Sequence, residues 1–260
     1  GGTVYCLASY DAGSKKLVTL SHPFSVDVDS AKMEFYEPEK ETEDVVLFSK
    51  FGMIGEFFLG RMVGGVFEGS RSPGFEHPDT LFRIKDMPLR LCTAVRVDST
   101  KTYRYVRYFG PRGGFGNVSE VGFYSSWADT EPLKGDILGP QEGAHGSHSY
   151  FNVFDGHTDT SYDHPFDYGG WAGLDLGEKK AIGKIVYTPR NRDNFVRKDD
   201  LYELLVCHGG EWKSAGTQVA QSDSLLFRNI PKHALLLLRD LSRGEAERLF
   251  EYKDGVQKYW

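Results

Sequence analysis

The sequence predicts an all-β protein built as two β-sandwich domains in tandem, and three observations carry that prediction. The chain has 30 glycines among 260 residues, against a usual ~7%, and 14% of its residues are aromatic. Many turns and many rings favour short strands over long helices. Strand-like runs also recur along the chain between Gly, Pro, Asp and Asn, and no long apolar period near 3.6 interrupts them. Finally, Asp79-Thr80-Leu81-Phe82-Arg83-Ile84 resembles Asp223-Ser224-Leu225-Leu226-Phe227-Arg228-Asn229-Ile230, and each is followed by an apolar strand carrying an arginine, Arg107 or Arg239. A weak internal repeat of this kind points to two related β domains.

In chain order the expected strands are Val4–Tyr10, Phe24–Asp29, Lys32–Tyr36, Val45–Phe48, Leu91–Val97, Tyr103–Tyr108, Ile182–Thr188, Leu201–Cys207 and Ala234–Arg239. Phe24, Val26 and Val28 alternate with Ser25 and Asp27, the period of a half-buried strand. His208-Gly209-Gly210 reads as a hairpin turn, because glycine reaches positive φ without a steric cost. A short helical turn is expected at Asp240–Ala246. Arg104 and Arg107, three apart, are expected on opposite faces of their strand. The Gly- and Pro-rich stretch from Ser125 to Ser149 is the best linker, which sets a boundary near Trp127 and domains over 1–126 and 127–260.

The chain carries 31 Lys+Arg and 37 Asp+Glu, a formal charge of −6, so it lacks the basic footprint that nucleic acid requires. The longest apolar run, Ala234–Leu238, is strand-sized and far short of the ~20 residues that cross a bilayer, so no membrane span is expected. Cys6, Cys92 and Cys207 are odd in number and form no CxxC pair, which favours buried thiols over a disulfide framework or a zinc site. The chain opens Gly1-Gly2-Thr3, as an excised or processed chain would.

The most informative stretch is Phe151-Asn152-Val153-Phe154-Asp155-Gly156-His157-Thr158-Asp159-Thr160, then Trp171-Ala172-Gly173-Leu174-Asp175-Leu176-Gly177, then Ile182-Gly183-Lys184-Ile185-Val186-Tyr187-Thr188-Pro189-Arg190. A DGxxxT loop, a W-x-G-x-D-L-G strand and an I-x-x-I-x-x-x-P-R strand in this order resemble the discoidin-like domains, or coagulation factor V/VIII type C domains, among the galactose-binding-like jelly-roll sandwiches. The resemblance covers about Leu133–Trp260. The first half resembles only the later part of such a domain, through Gly64–Ser70, Tyr103–Tyr108 and Asn117-Val118-Ser119-Glu120.

The Asp155 loop offers a carboxylate, the Thr160 hydroxyl and several carbonyls, the hard oxygen set that Ca²⁺ takes. The resemblance implies a structural Ca²⁺ there, with the carbonyl of His157 as a ligand and a glutamate near the domain's end, mapped to Glu247. The alternative is an ion-free Asx-type turn in which Asp155 and Thr160 satisfy backbone N–H groups. Trp171 is expected to face the core. Candidate sugar-contacting residues lie in the flanking turns: His148 and Tyr150 before the loop, Tyr162, His164, Phe166 and Tyr168 after it, and Arg192 and Asn194 in the Pro189–Asn194 loop. Rings can take the C–H face of a pyranose while His, Asn and Arg donate to hydroxyls; equally, such rings can simply pack loops down. Arg190 is expected to fork onto an internal carboxylate.

No GxSxG, HExxH or P-loop pattern is present. The function expected is therefore a non-catalytic carbohydrate-binding accessory region of a secreted, periplasmic or cell-surface protein, with a glycan or polysaccharide as partner. Two other readings stand beside it: a two-jelly-roll amidase or glycosidase acting on glycoconjugates, or a docking module for a catalytic domain of the same full-length protein.

Overall fold

The computed structural model describes residues 4–13, 17–27, 29–35, 38–52, 57–98, 100–143, 145–208, 211–243 and 248–259. The chain divides into two compact units, Met53–Arg192 and a unit assembled from Gly1–Gly52 with Asp193–Trp260. The first segment holds β1 (Val4–Tyr5), β2 (Ala8–Tyr10), β3 (Leu17–Leu20), β4 (Phe24–Asp27), β5 (Lys32–Phe35) and β6 (Thr42–Leu47). Met53–Arg192 holds β7 (Val66–Ser70), β8 (Asp79–Arg83), β9 (Thr93–Arg96), β10 (Thr102–Phe109), β11 (Glu120–Tyr124), β12 (Asp136–Leu138), β13 (Trp171–Ala181) and β14 (Lys184–Thr188). The last segment holds β15 (Leu201–His208), β16 (Glu211–Val219), β17 (Leu225–Pro231), β18 (Leu235–Asp240), β19 (Phe250–Lys253) and β20 (Val256–Tyr259).

Met53–Arg192 is an antiparallel sandwich of a five-stranded sheet, β12-β13-β10-β7-β8, and a three-stranded sheet, β11-β14-β9. Strand alternation sends Ala172, Leu174 and Leu176 of β13 and Phe67 of β7 inward, where they meet Val121, Phe123, Ile185 and Tyr187 of the other sheet. Phe67 lies 5.3 Å from both Tyr108 and Tyr187 by ring centroids, geometry worth about 0.5–1.5 kcal/mol per pair beyond burial itself. Trp171 has the opposite parity to Leu174, so it faces away from this core and packs beside Phe75 and Arg107 on the sheet's outer side. The expectation of a core Trp171 is thereby corrected by the period-2 alternation itself.

A register shift between Tyr103 and Tyr105 changes the parity of β10, as a bulge does. Tyr103, Val106 and Tyr108 therefore enter the core, while Arg104 and Arg107 both stay outside it. Each arginine pairs with an acid on a neighbouring strand, Arg104 with Asp175 at 2.7 Å and Arg107 with Glu68 at 2.7 Å. The expected split across the two faces fails because spacing alone does not reveal a bulge.

Trp127 lies inside this unit, since β10 before it and β13 after it pair along most of their length. The stretch read as a linker contributes β12, which pairs with β13. Gly135 there serves close approach: a Cβ on it would sit 2.2 Å from the Asp175 carbonyl oxygen. The Gly110–Gly116 segment joins β10 to β11 across the two sheets.

The other unit pairs a ribbon, β6 with β17, and a five-stranded sheet, β16-β15-β18-β19-β20. Val45 and Leu47 of β6 meet Leu225, Phe227, Leu204, Leu236 and Leu238 in a mainly aliphatic core. A three-stranded sheet β1-β4-β5 and the hairpin β2-β3 complete it. β15 and β16 pair with His208 opposite Glu211; Gly209 and Gly210 lie outside the described residues. The repeated segments are not equivalent: β8 shares a sheet with β10, whereas β17 lies in a different sheet from β18. Of the three cysteines only Cys207 is buried, and Cys92 is exposed. Among the described residues no helix is long and apolar enough to cross a membrane.

Candidate functional site

The informative loops gather at one end of the Met53–Arg192 sandwich, the end where β10 finishes, β11 begins and β14 leads into Pro189–Arg192. A one-turn 3-10 helix, Tyr150–Phe154, opens the region; Ser149 caps it by accepting from the Phe151 N–H, as N-cap hydroxyls do. The Asp155 loop follows. Asp155 Oδ1 accepts from the His157 N–H at 2.8 Å, and the Thr160 hydroxyl lies 2.8 Å from both Asp155 Oδ2 and the His157 carbonyl. Gly156 supplies the positive φ of the turn, +80°.

Asp155, His157 and Thr160 are thus drawn together, and Glu247 lies outside the described residues. The glutamate beside Asp155 is Glu120, the first residue of β11, whose Oε2 accepts from the Gly156 N–H at 3.2 Å. Burial first, and the neighbouring Asp155 charge second, push the Glu120 carboxyl up to about 8. Sequence reasoning did not single out Glu120, which directly precedes the alternating Val121-Gly122-Phe123-Tyr124 strand. Among the described residues no three His, Cys, Asp or Glu side chains converge as a metal cluster, so a cation here would rely on hydroxyl and carbonyl oxygens as well as the two carboxylates.

The candidate rings form a ladder from core to surface. Tyr150 and Tyr162 stand edge to face at 6.3 Å, Tyr162 and His164 at 6.3 Å, His164 and Phe166 at 5.7 Å, and Phe166 and Tyr168 stack at 6.1 Å. Tyr150, Tyr162 and His164 are buried, and burial pushes the Tyr162 phenol upward. Phe166 and Tyr168 are 51% and 55% exposed. The lower rings therefore anchor the loop and the upper two present faces to solvent. His148 is exposed, its Nδ1 lying 3.3 Å from the Ser161 carbonyl oxygen. Arg112 stands over the Tyr168 ring at 5.4 Å.

Beside the ladder, Asp163 receives Arg190 Nη1 at 2.7 Å and Asn117 Nδ2 at 3.0 Å, with Arg61 at 3.6 Å. Arg190 is therefore paired with an internal carboxylate, through one Nη1–Oδ2 contact. Arg192 is exposed and rests over the Phe58 ring at 5.1 Å. Asn191 ties this segment to the Asp155 loop by donating to the Thr158 carbonyl at 3.0 Å. Asn194 belongs to the other unit, where it is buried and its carbonyl accepts from the Lys50 N–H at 2.9 Å. Of the eight candidate ligand residues, then, His148, Phe166, Tyr168 and Arg192 face solvent and the other four are structural by placement. No family model, curated protein or solved structure matches this chain.

Proposed function

We propose that the Met53–Arg192 sandwich is a non-catalytic carbohydrate-binding module, discoidin-like in kind, belonging to a secreted, periplasmic or cell-surface protein. The observation that carries this reading is the exposed Phe166–Tyr168 stack, held out on a loop whose base is the buried Tyr150–Tyr162–His164 ladder. Two adjacent apolar planes suit the C–H face of a sugar, and polar groups come from neighbouring segments, Arg112 over the Tyr168 ring and the exposed His148. A sugar offers little apolar area and must shed hydroxyl-bound water, so each site binds weakly.

A structural Ca²⁺ belongs to the same proposal, with Glu120 in the position the resemblance assigned to Glu247. Burial and the neighbouring Asp155 make the Glu120 carboxylate costly to ionise, a cost that a divalent cation between the two carboxyl groups relieves. Asp155, Glu120, the Thr160 hydroxyl and the His157 carbonyl would hold it. The ion would supply positive charge that fixes the loop below the rings.

A glycan array probed with the whole chain tests the reading. Retention on galactose-type glycans should fall at least about tenfold in both Phe166→Ala and Tyr168→Ala, with unchanged melting because both side chains are exposed. An array silent throughout, or binding indifferent to both substitutions, overturns it. For the ion, chelator should lower the melting temperature of the wild type and leave Glu120→Gln unmoved.

A further inference from the structure

The most unusual feature beside the ring platform is its charge. Three guanidinium groups surround one ring: Arg190, Arg192 and Arg61 lie 4.6, 5.1 and 5.2 Å from the Phe58 centroid. Arg61 also covers Phe115 at 4.7 Å. The carboxylate seated among them is Asp163, which takes Arg190 at 2.7 Å and Arg61 at 3.6 Å. Arg192 makes no ion pair among the described residues. Its neighbour Asp193 is held by Lys50 at 2.9 Å and by Arg197. A positive cluster with an exposed member is a local departure for a chain of net charge −6. Like charges gathered this closely repel, and burial together with Arg190 pulls the Arg61 guanidinium downward while Asp163 opposes that. Such an arrangement favours an added anion.

The cluster adjoins the platform. Asp163 immediately precedes His164 in the ring ladder, and the His164 N–H donates to the Phe115 carbonyl at 2.7 Å, beneath the ring that Arg61 covers. Arg190 already holds one carboxylate through Nη1, and a guanidinium has further N–H donors in the same plane. Stacking on Phe58 restrains the Arg192 side chain, which lowers the ordering cost of a second carboxylate.

We propose that the glycan taken at this end of the sandwich is acidic, with the carboxylate of a uronic-acid sugar received by Arg192 and Arg190 while a neighbouring sugar ring stacks on Phe166 and Tyr168. This rests on the carbohydrate-binding reading and specifies its ligand. It also gives a role to an arginine that makes no ion pair among the described residues and stays beside a ring where two neighbours carry the same charge.

Calorimetric titrations of the whole chain with trigalacturonate and with the matched neutral galactotriose test it. Trigalacturonate should bind about tenfold more tightly, and its advantage should shrink as salt is added. Arg192→Gln should bring the acid-to-neutral ratio close to one, with Arg192→Lys between, and neither should alter melting because the side chain is exposed. Tyr168→Ala should weaken both sugars. Equal binding of the two sugars, with a ratio unmoved by Arg192→Gln, overturns the acidic ligand and leaves carbohydrate binding standing. A sulfated galactotriose that outcompetes trigalacturonate overturns the carboxylate assignment. Silence toward every sugar overturns both this inference and the reading beneath it.

Discussion

The two units of this chain use the same elements for opposite purposes, and their charged groups show how. In Met53–Arg192 the arginines gather among half-exposed rings at a loop end, where Arg192 and Arg112 face solvent. The other unit also carries a buried charge network. Lys50 has no exposed surface and bridges Asp193 at 2.9 Å and Asp240 at 2.6 Å. Asp240 is fully covered and also accepts the N–H groups of Ser242 and Arg243 at 2.9 Å. The Tyr202 hydroxyl accepts the Arg197 N–H at 2.9 Å. This network staples the first chain segment to the last, which the β6–β17 pairing also joins. A unit assembled from distant segments needs such long-range ties, because closing its loop costs entropy that local pairing does not repay. The continuous unit has no such need, and it leaves Arg192 and Arg112 at its surface.

The largest effect should come from the staple. Lys50→Ala leaves Asp240 charged and covered with no cation, and should cost about 3–5 kcal/mol, read as a shift of the chemical denaturation midpoint. A loss below about 1 kcal/mol would mean that the buried network is not what ties the segments.

A smaller effect, in the other unit, is pH-dependent. Glu120 holds its proton more tightly in the folded state than unfolded. Its contribution to stability is therefore complete below about pH 4.5 and is lost as pH rises toward about 8. Without calcium, the melting temperature of the wild type should fall relative to Glu120→Gln across that window. Added calcium should reverse the trend, because a cation favours the ionised carboxylate. Parallel pH curves for the two proteins would remove Glu120 from the site.

The smallest effect should come from the Arg228–Asp44 pair, 2.7 Å apart but with side chains 68% and 46% exposed. Arg228→Ala should cost less than about 1 kcal/mol, since solvent and salt screen such pairs. A cost matching that of Lys50→Ala would erase the distinction between a buried staple and a surface pair.

Much of the strand content is legible in the sequence because alternation and turn residues act locally: Tyr103–Tyr108, Ile182–Thr188 and Leu201–Cys207 each lie close to an observed strand. The Asp155 loop is legible for the same reason, since its hydrogen bonds close within five residues. Ring exposure is not. Tyr162 and Tyr168 look alike in a turn-rich segment, yet one is buried and the other solvent-facing, and only packing against Tyr150 and Val118 distinguishes them. Glu120 and Asp155 are 35 positions apart, and no periodicity announces that β11 begins beside that loop.

What the sequence determined by itself is therefore what short-range chemistry controls: an all-β chain, its turn-forming loops, its mild acidity and the residue types available for a site. Tertiary structure decided the rest. It grouped the strands into two units, one of which contains the whole apparent linker, brought Glu120 beside the Asp155 loop, and set Arg192 beside Phe58. These are matters of strand pairing and burial between residues far apart in the chain, where the free energy depends on which surfaces meet rather than on which residues are neighbours.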